Sequence, residues 1–497
     1  MRDNPPSPRQ LTKSHFVLGL RCRKALYFDL FSPERIGLES SQYIKSQLDG
    51  KEVGLYARGL YPEGKLIESK DIGRALQETK ESIGNGSLTI FEAAFAFEDV
   101  VIRADILTRE FVGAPWKLYE VKAATAKKEE WLHDLAIQAW VVQRAGIHLE
   151  SVFLMHLNSD CIFPDLENLF HIHDCKDCVE SLMCGMAEEI EEMRKILLFG
   201  EEPEGDIGPH CEDSYVCPFK SICWQHMPKF SVFNIPRFRK KWEFYEANRY
   251  AIESLTEADF GSEIMKRVLR CHQTNQLFFD PQTAQKALKA WKYPICYFDL
   301  ETVNYPIPRY HQNRPYQQIP FQFSCHIQRT VDSDLEHCEF LYDGIEDPRP
   351  DFMQKMLAAI PSSGSIVVYH KGFEVSRFEE LAQGFPEYAQ AINELIQRIV
   401  DLEHVITQTT YHPDFLGSFS IKKVAPAILG ERADYCHLEV GNGVEAMLNY
   451  QERFSLDIDD PKRAQITKNL LEYCKQDTML MVYLHRWLWK QITKLTE

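Results

Sequence analysis

The sequence predicts an α/β protein of two domains joined by a helical connector, and three observations lead there. The chain has 497 residues, 44% of them hydrophobic and 12% aromatic, which suffices for sizeable cores and for roughly two to four domains. Up to about residue 225, helical stretches surround a strand-rich middle: TIFEAAFAF, VVIRADILTREF, WKLYEVKA and, after a helix, SVFLMHL. From Tyr293 onwards strands return in PICYFDLE, FQFSCHIQR, HCEFLYDG and SIVVYH, then yield to helices, as in a mixed sheet covered by helices. The expected boundaries are 1–228, a helix-rich connector over 229–290, and 291–497.

Composition excludes several classes. No apolar run approaches the length of a membrane span, and MRDNPPSPRQ lacks the apolar core of a signal peptide, so a cytoplasmic location is expected. Fourteen cysteines in such a chain point away from a disulfide framework, towards buried thiols or a metal or cluster site. A net charge of -17 argues against a broad basic surface for nucleic acid but leaves room for a local one such as RFRKKW. There are no repeats or low-complexity tracts.

The stretch ICYFDLETVN ends an apolar strand on Asp299 and Glu301, whose side chains share one face. Two carboxylates held that close repel and need a cation, although a lone Asp-x-Glu is also common as a solvated strand end. Its value depends on partners. In PKRAQITKNLLEYCKQDTMLMVYLHRWLWKQ the apolar residues recur at helical spacing, which puts Tyr473 and Asp477 one turn apart on one face. Between them, Glu374 opens the helix after SIVVYH, and Asp401 follows in IVDLEHVI. This ordered set resembles the tyrosine-bearing branch of the DEDD 3'-5' exonucleases, built on a ribonuclease-H-like fold. The resemblance runs from about Tyr293 to Trp489 and includes GSFSIKKVAPAIL, similar to the "SLK" stretch of those enzymes. It implies Asp299, Glu301, Glu374 and Asp477 as ligands of Mg2+ or Mn2+, Tyr473 as the group orienting the attacking water, and Asp401 as an accessory. Hard oxygen ligands suit two such ions roughly 4 Å apart, which stabilise both oxygens of an in-line displacement at phosphorus. Glu374 departs from the family's more usual Asp, and its extra methylene bears on where a metal would sit.

The N-terminal half carries a second constellation. Asp105 precedes Glu120-x-Lys122, the last two on one face of a strand. A carboxylate pair can hold Mg2+, and a neighbouring lysine can orient water or stabilise developing charge. The pattern resembles the PD-(D/E)XK nucleases on a restriction-endonuclease-like fold, and Gln138 stands where the RecB-like branch has its Gln-x3-Tyr motif. Val142 replaces that tyrosine. Gly54 takes the place of an earlier histidine, with Glu52 as the nearby substitute.

Cysteine spacing gives a third motif, Cys211-x5-Cys217-x5-Cys223, with Cys22 far upstream. Four thiolates suit an iron-sulfur cluster or a structural zinc. The order of one early and three late cysteines resembles the iron-sulfur branch of RecB-like nucleases and implies a 4Fe-4S cluster of structural role, with His210 in reserve. A competing trio, Cys175, Cys178 and Cys184, falls on what reads as one amphipathic helix and is too spread out to close round one cluster. The connector interleaves aromatic and basic residues in KFSVFNIPRFRKKWEFYEANRY, which suits a single strand of nucleic acid or, more simply, an amphipathic helix.

Together the motifs resemble a family of RecB-like nucleases fused to a ribonuclease-H-like domain. That implies metal-dependent phosphodiester hydrolysis on DNA, single-stranded or with free ends, RNA remaining open. The rival readings are a non-catalytic nucleic-acid clamp, favoured by Glu374, Gly54 and Val142, and a redox-sensing iron-sulfur protein.

Overall fold

Largely buried apolar strands, set against helices with one apolar face, produce a mixed α/β architecture in the computed structural model, which describes residues 10–35, 40–212, 216–433 and 438–494. Two compact units result: Met1–His226 with Tyr305–Gln317, and Met227–Asn304 with Gln318–Glu497. Among the described residues no helix is long and apolar enough to cross a membrane.

The first unit contains α1 (Lys13–Arg21), α2 (Ser41–Gly59), α3 (Ile72–Gly84), β1 (Thr89–Phe97), β2 (Val100–Thr108), β3 (Trp116–Lys122), α4 (Trp131–Arg144), β4 (Leu149–Leu157) and β5 (Phe170–Asp174). The five strands lie side by side in chain order, with Lys65–Leu66 outside β1; β3 and β4 are parallel and the other neighbours among the five antiparallel. Trp116 and Leu118 of β3 enter the core beneath α4, where Leu135, Ile137, Ala139, Val141 and Val142 are buried. Period-two alternation then carries Glu120 and Lys122 onto the same face. β2 changes partner along its length. Leu11–Thr12 runs parallel to its start, at Val100 and Val101, whereas β3 pairs only with Ile106, Leu107 and Thr108. Asp105 sits at that change.

In the second unit β6 (Ile295–Val303) is the middle strand of five. β7 (Ile319–Gln328) and then β8 (Leu335–Leu341) lie on one side, β9 (Ser365–Val368) and β10 (Ile399–Asp401) on the other. β7 is antiparallel to both its neighbours, and β6, β9 and β10 are mutually parallel. β6 is buried at every position but Asp299. It reads as a continuous apolar run because both faces are covered. The helices that bear on the site are α5 (Lys371–Gly384), α6 (Ile421–Leu429), α7 (Gly443–Glu452) and α8 (Pro461–Lys494). Gly364, at φ +88°, lets the chain enter β9 against Pro294; a Cβ there would lie 1.9 Å from the Pro294 carbonyl oxygen.

The segment expected as a separate connector over 229–290 is instead part of the second unit. Phe230, Val232, Ile235, Leu255, Phe260, Val268 and Leu269 share one core with Tyr297, Tyr411 and Leu480. Its aromatic rings pack on one another, Phe233 on Trp242 and Phe238 on Phe244 and Phe260. Apolar burial thus accounts for the aromatic and basic pattern that also suited a single strand. The expected boundary at 228 falls at His226, and Tyr305–Gln317 returns to the first unit, where Ile307 is buried with Val53, Leu157 and Leu169.

A buried polar row holds α8 to β7. Gln322 donates to the Leu470 carbonyl at 2.6 Å, and Ser324 and His326 each meet the Thr478 hydroxyl at 2.9 Å. Alternate residues of the strand thereby fix the rotation of the helix. Thr478→Val removes the shared partner of two buried groups and should destabilise the protein by about 1–3 kcal/mol. Urea denaturation in the presence of chelator measures it, and an unchanged midpoint would show that the row contributes nothing.

Candidate metal and catalytic centres

Asp299 and Glu301 lie towards the C-terminal end of β6, beyond the point where β9 stops pairing with it at Tyr297. Such crevices outside the carboxyl ends of strands are where open α/β sheets bind ligands. Tyr473 and Asp477 share the buried face of α8, one turn apart. One ligand oxygen from each of Asp299, Glu301 and Asp477 lies within 4.8 Å of the other two. Glu374, in the first turn of α5, is 2% exposed, and its Oε2 accepts no hydrogen bond. It stands outside the 4.8 Å group but feels the charge of Asp299.

Electrostatics follow from that crowding. Burial, then repulsion from Asp477, pushes Asp299 well above the ordinary carboxylate range, and burial with Asp299 and Asp477 does the same to Glu301. Glu374 rises through burial and Asp299. The opposing cation is Lys422 of α6, whose ammonium donates to the Tyr473 hydroxyl at 2.9 Å and to the Gly441 carbonyl at 2.5 Å. Cys474 points its thiol at Asp299 Oδ2, 3.5 Å away. Gly443, at the start of α7, lies beside Glu301: a Cβ there would stand 3.4 Å from its Oε2.

Asp401 lies apart from this cluster. Its carboxylate accepts the backbone N–H groups of His370, Lys371 and His404, which caps the helix Leu402–Thr409 and holds the left-handed turn at His370 from which α5 starts. It positions the helix that carries Glu374.

In the first unit the structure joins Asp105, Glu120, Lys122 and Gln138. Glu120 Oε2 accepts from Gln138 at 2.6 Å, Lys122 approaches Glu120 at 2.9 Å, and Asp105 Oδ2 accepts the Val121 N–H at 2.8 Å. Two more residues enter. Lys13 donates to both Glu120 oxygens, at 2.9 and 3.1 Å, and Asp134, one turn before Gln138 on α4, pairs with Lys122. Burial alone would raise Glu120, yet Lys13 and Lys122 overcome it and hold the group at about 2. Burial and the charge of Glu120 lift Asp105 to about 7. Lys122 stays above its usual value, since Glu120 and Asp134 outweigh the effect of burial.

Lys13 was invisible as a site residue because it follows a strand of only two residues, Leu11–Thr12. The signal for its position was the capping box formed by Thr12 and His15, which starts α1 at Lys13. Val142 is fully buried in the core, and Glu52 pairs with Arg309 at 2.7 Å.

Cys22, Cys211, Cys217, Cys223 and His210 line one cavity, between α1 and the helix Arg23–Phe31 on one side and the loops at 205–223 on the other; residues 213–215 lie outside the described part of that loop. Burial pushes Cys223 up to about 11 and also raises Cys217. The competing trio falls on two helices, Lys176–Met183 and Met186–Phe199, with the break at Cys184 and Gly185; Cys175 is buried while Cys178 and Cys184 are exposed.

Residues 296–420 match a family model described as a domain of unknown function (DUF2779). The span includes Asp299, Glu301, Glu374 and Asp401 and ends before Lys422, Tyr473 and Asp477. The uncharacterized protein UU173 of Ureaplasma parvum serovar 3 is 27% identical over 264 residues, 47% of this chain and 37% of that protein. The uncharacterized protein MG366 homolog of Mycoplasma pneumoniae is 28% identical over 204 residues, 37% of this chain and 31% of that one. The chain therefore spans only about a third of the length of these relatives, 37% and 31%.

The raised carboxyls make a pH prediction. Folded Asp299, Glu301 and Glu374 retain protons that the unfolded chain releases above 3.8 and 4.5, so their contribution to stability is complete below those values and lost as pH rises through the folded ones. As pH rises above the unfolded values, the metal-free wild type should lose more stability than Asp299→Asn/Glu301→Gln. Thermal midpoints in chelator give the comparison, and parallel curves for the two proteins would exclude the effect.

Proposed function

We propose that this chain is a metal-dependent nuclease that hydrolyses phosphodiester bonds of DNA, with its principal centre at Asp299, Glu301, Asp477 and Glu374. The observation that carries the reading is the convergence of the first three carboxylates within 4.8 Å, opposed by Lys422, whose charge acts on both Asp299 and Glu301. The donor set is all oxygen, which fits Mg2+ or Mn2+, and Glu374 adds an oxygen that no hydrogen bond occupies. Bound ions would supply charge stabilisation at the phosphoryl oxygens.

The chain's own groups do the rest. Asp299 and Glu301, which burial and crowding hold towards the protonated form, would give up their protons to a metal ion at the mouth of the sheet, and Cys474 limits the rotation of Asp299. Lys422 donates to the Tyr473 hydroxyl, and that phenol, one turn from Asp477 on α8, would orient a water. In hydrolysis that water oxygen forms the new bond to phosphorus, the ester P–O bond breaks, and the departing oxygen takes up a proton. The resemblance to DEDD exonucleases supports a 3'-5' direction on DNA that is single-stranded or has free ends, with RNA as the alternative substrate; the lack of an apolar span among the described residues is in keeping with the expected cytoplasmic location.

For the first unit a second reading has its own support. Glu120 already has three partners, Lys13, Lys122 and Gln138, so an ion at Asp105 and Glu120 would have to displace Lys13. That favours a nucleic-acid-binding centre over a second PD-(D/E)XK nuclease. The four cysteines lining one cavity would hold an iron-sulfur cluster, with a structural zinc as the alternative. The group would have a structural role, tying the start of the unit at Cys22 to its end at Cys223.

On end-labelled single-stranded DNA with Mn2+, Asp299→Ala and Asp477→Ala should each lose at least about a hundredfold in rate. Lys122→Ala should weaken DNA binding and leave turnover at saturating DNA intact; wild-type rates in Asp299→Ala would refute the assignment. Anaerobically purified protein should contain iron and absorb in the visible, and Cys22→Ser should lose both. A colourless wild type holding one zinc would replace the cluster.

A further inference from the structure

Three histidines of the first unit take no part in either centre. His156 of β4 stands opposite His171 of β5, and His173 is two residues further along the same face. The Nε2 atoms of His156 and His173 are 3.0 Å apart, with the rings stacked at 5.0 Å. His171 completes the group, its ring 5.7 Å from His156 and 6.2 Å from His173.

The hydrogen bonding fixes which nitrogens are available. His156 Nδ1 lies 2.8 Å from the Leu157 carbonyl, which can only accept, so Nδ1 carries the hydrogen and Nε2 presents a lone pair. Metal-binding histidines characteristically donate their second nitrogen to a carbonyl in this way. Burial, together with His156 and Lys127, lowers the affinity of His173 for a proton, so it is neutral near pH 7. Zinc–nitrogen bonds of 2.0–2.1 Å in a tetrahedron put the two nitrogens about 3.4 Å apart. The observed 3.0 Å needs to open by only a few tenths of an ångström.

We propose that His156, His171 and His173 form a binding site for a borderline transition-metal ion such as Zn2+, Ni2+ or Cu2+. His156 is 3% exposed and fixed, His173 is half-buried, and His171 on the exposed edge strand swings in as third ligand, leaving one position for water. On binding, the hydrogen on His173 Nε2 moves to Nδ1. Three imidazoles offer no oxygen ligand to Mg2+ or Mn2+, which want carboxylates, so the site and the acidic cluster select different ions. The ion would clamp β5 to β4, whose His156 is the neighbour of Lys122 across the sheet.

Ni2+ titration calorimetry on the chelator-stripped full chain, in excess Mg2+, tests this. Wild type should take up one more equivalent than His171→Ala/His173→Gln, and His171→Ala alone should weaken that equivalent at least about tenfold. A thermal midpoint raised by Ni2+ in wild type and not in the double variant is also expected. Identical isotherms in wild type and His171→Ala would overturn the proposal and leave the imidazole pair a hydrogen bond. His171 is exposed, so that variant decides even if the double variant does not fold.

Discussion

Repulsion among Asp299, Glu301 and Asp477 is the constraint to which the second unit answers. Two unit charges about 4 Å apart in an effective dielectric near 20 oppose each other by about 4 kcal/mol. Three such groups, with Glu374 behind them, can stay together only if protons or cations offset the charge and if their supports cannot drift apart. The protein supplies Lys422 and a rigid frame.

That frame explains several otherwise separate features. β6 is covered on both faces, which removes any freedom of the strand bearing two of the carboxylates. The third comes from α8, and the row formed by Gln322, Ser324 and His326 fixes the helix in rotation and in height. Buried polar contacts of this kind contribute little net stability compared with apolar packing, but they define one register where apolar contact tolerates several. Asp401 has the same kind of role for Glu374. Its carboxylate fixes the turn before α5, so that a residue outside the cluster determines where one of its members points.

How much of this could be read from residues alone depends on the distance over which each pattern acts. Asp299 with Glu301, and Tyr473 with Asp477, were legible because strand and helix periodicity place near neighbours on one face. The α/β class was legible for the same reason. Lys13 was not, since its position depends on a two-residue strand pairing with Val100 and Val101, and no local pattern specifies such a pairing. Lys422 of GSFSIKKVAPAIL carries no local signal of its role, because its contact with Tyr473 spans 51 residues. The connector was misjudged as separate because its amphipathic pattern records only that one face is buried, and the partner turned out to be the core around Tyr297 and Leu480.

The two carboxylate centres also differ in what they ask of an ion. In the first unit Lys13 and Lys122 face Asp105, Glu120 and Asp134, and with Asp105 lifted to about 7 the charges nearly cancel at neutral pH. A divalent ion there gains little from the local field and must displace an ammonium from a carboxylate that already has its hydrogen bonds. In the second unit the carboxylates outnumber the lysine, and Glu374 has an oxygen without a partner. The same ion there would take over the charge that Lys422 and the retained protons offset in its absence. The thiol cavity and the histidine trio present softer or neutral donors and compete for neither. Ion selectivity within one chain thus follows from donor chemistry and from how far each site has already neutralised itself, and on both counts the cluster at the end of β6 is the one suited to hold Mg2+ or Mn2+.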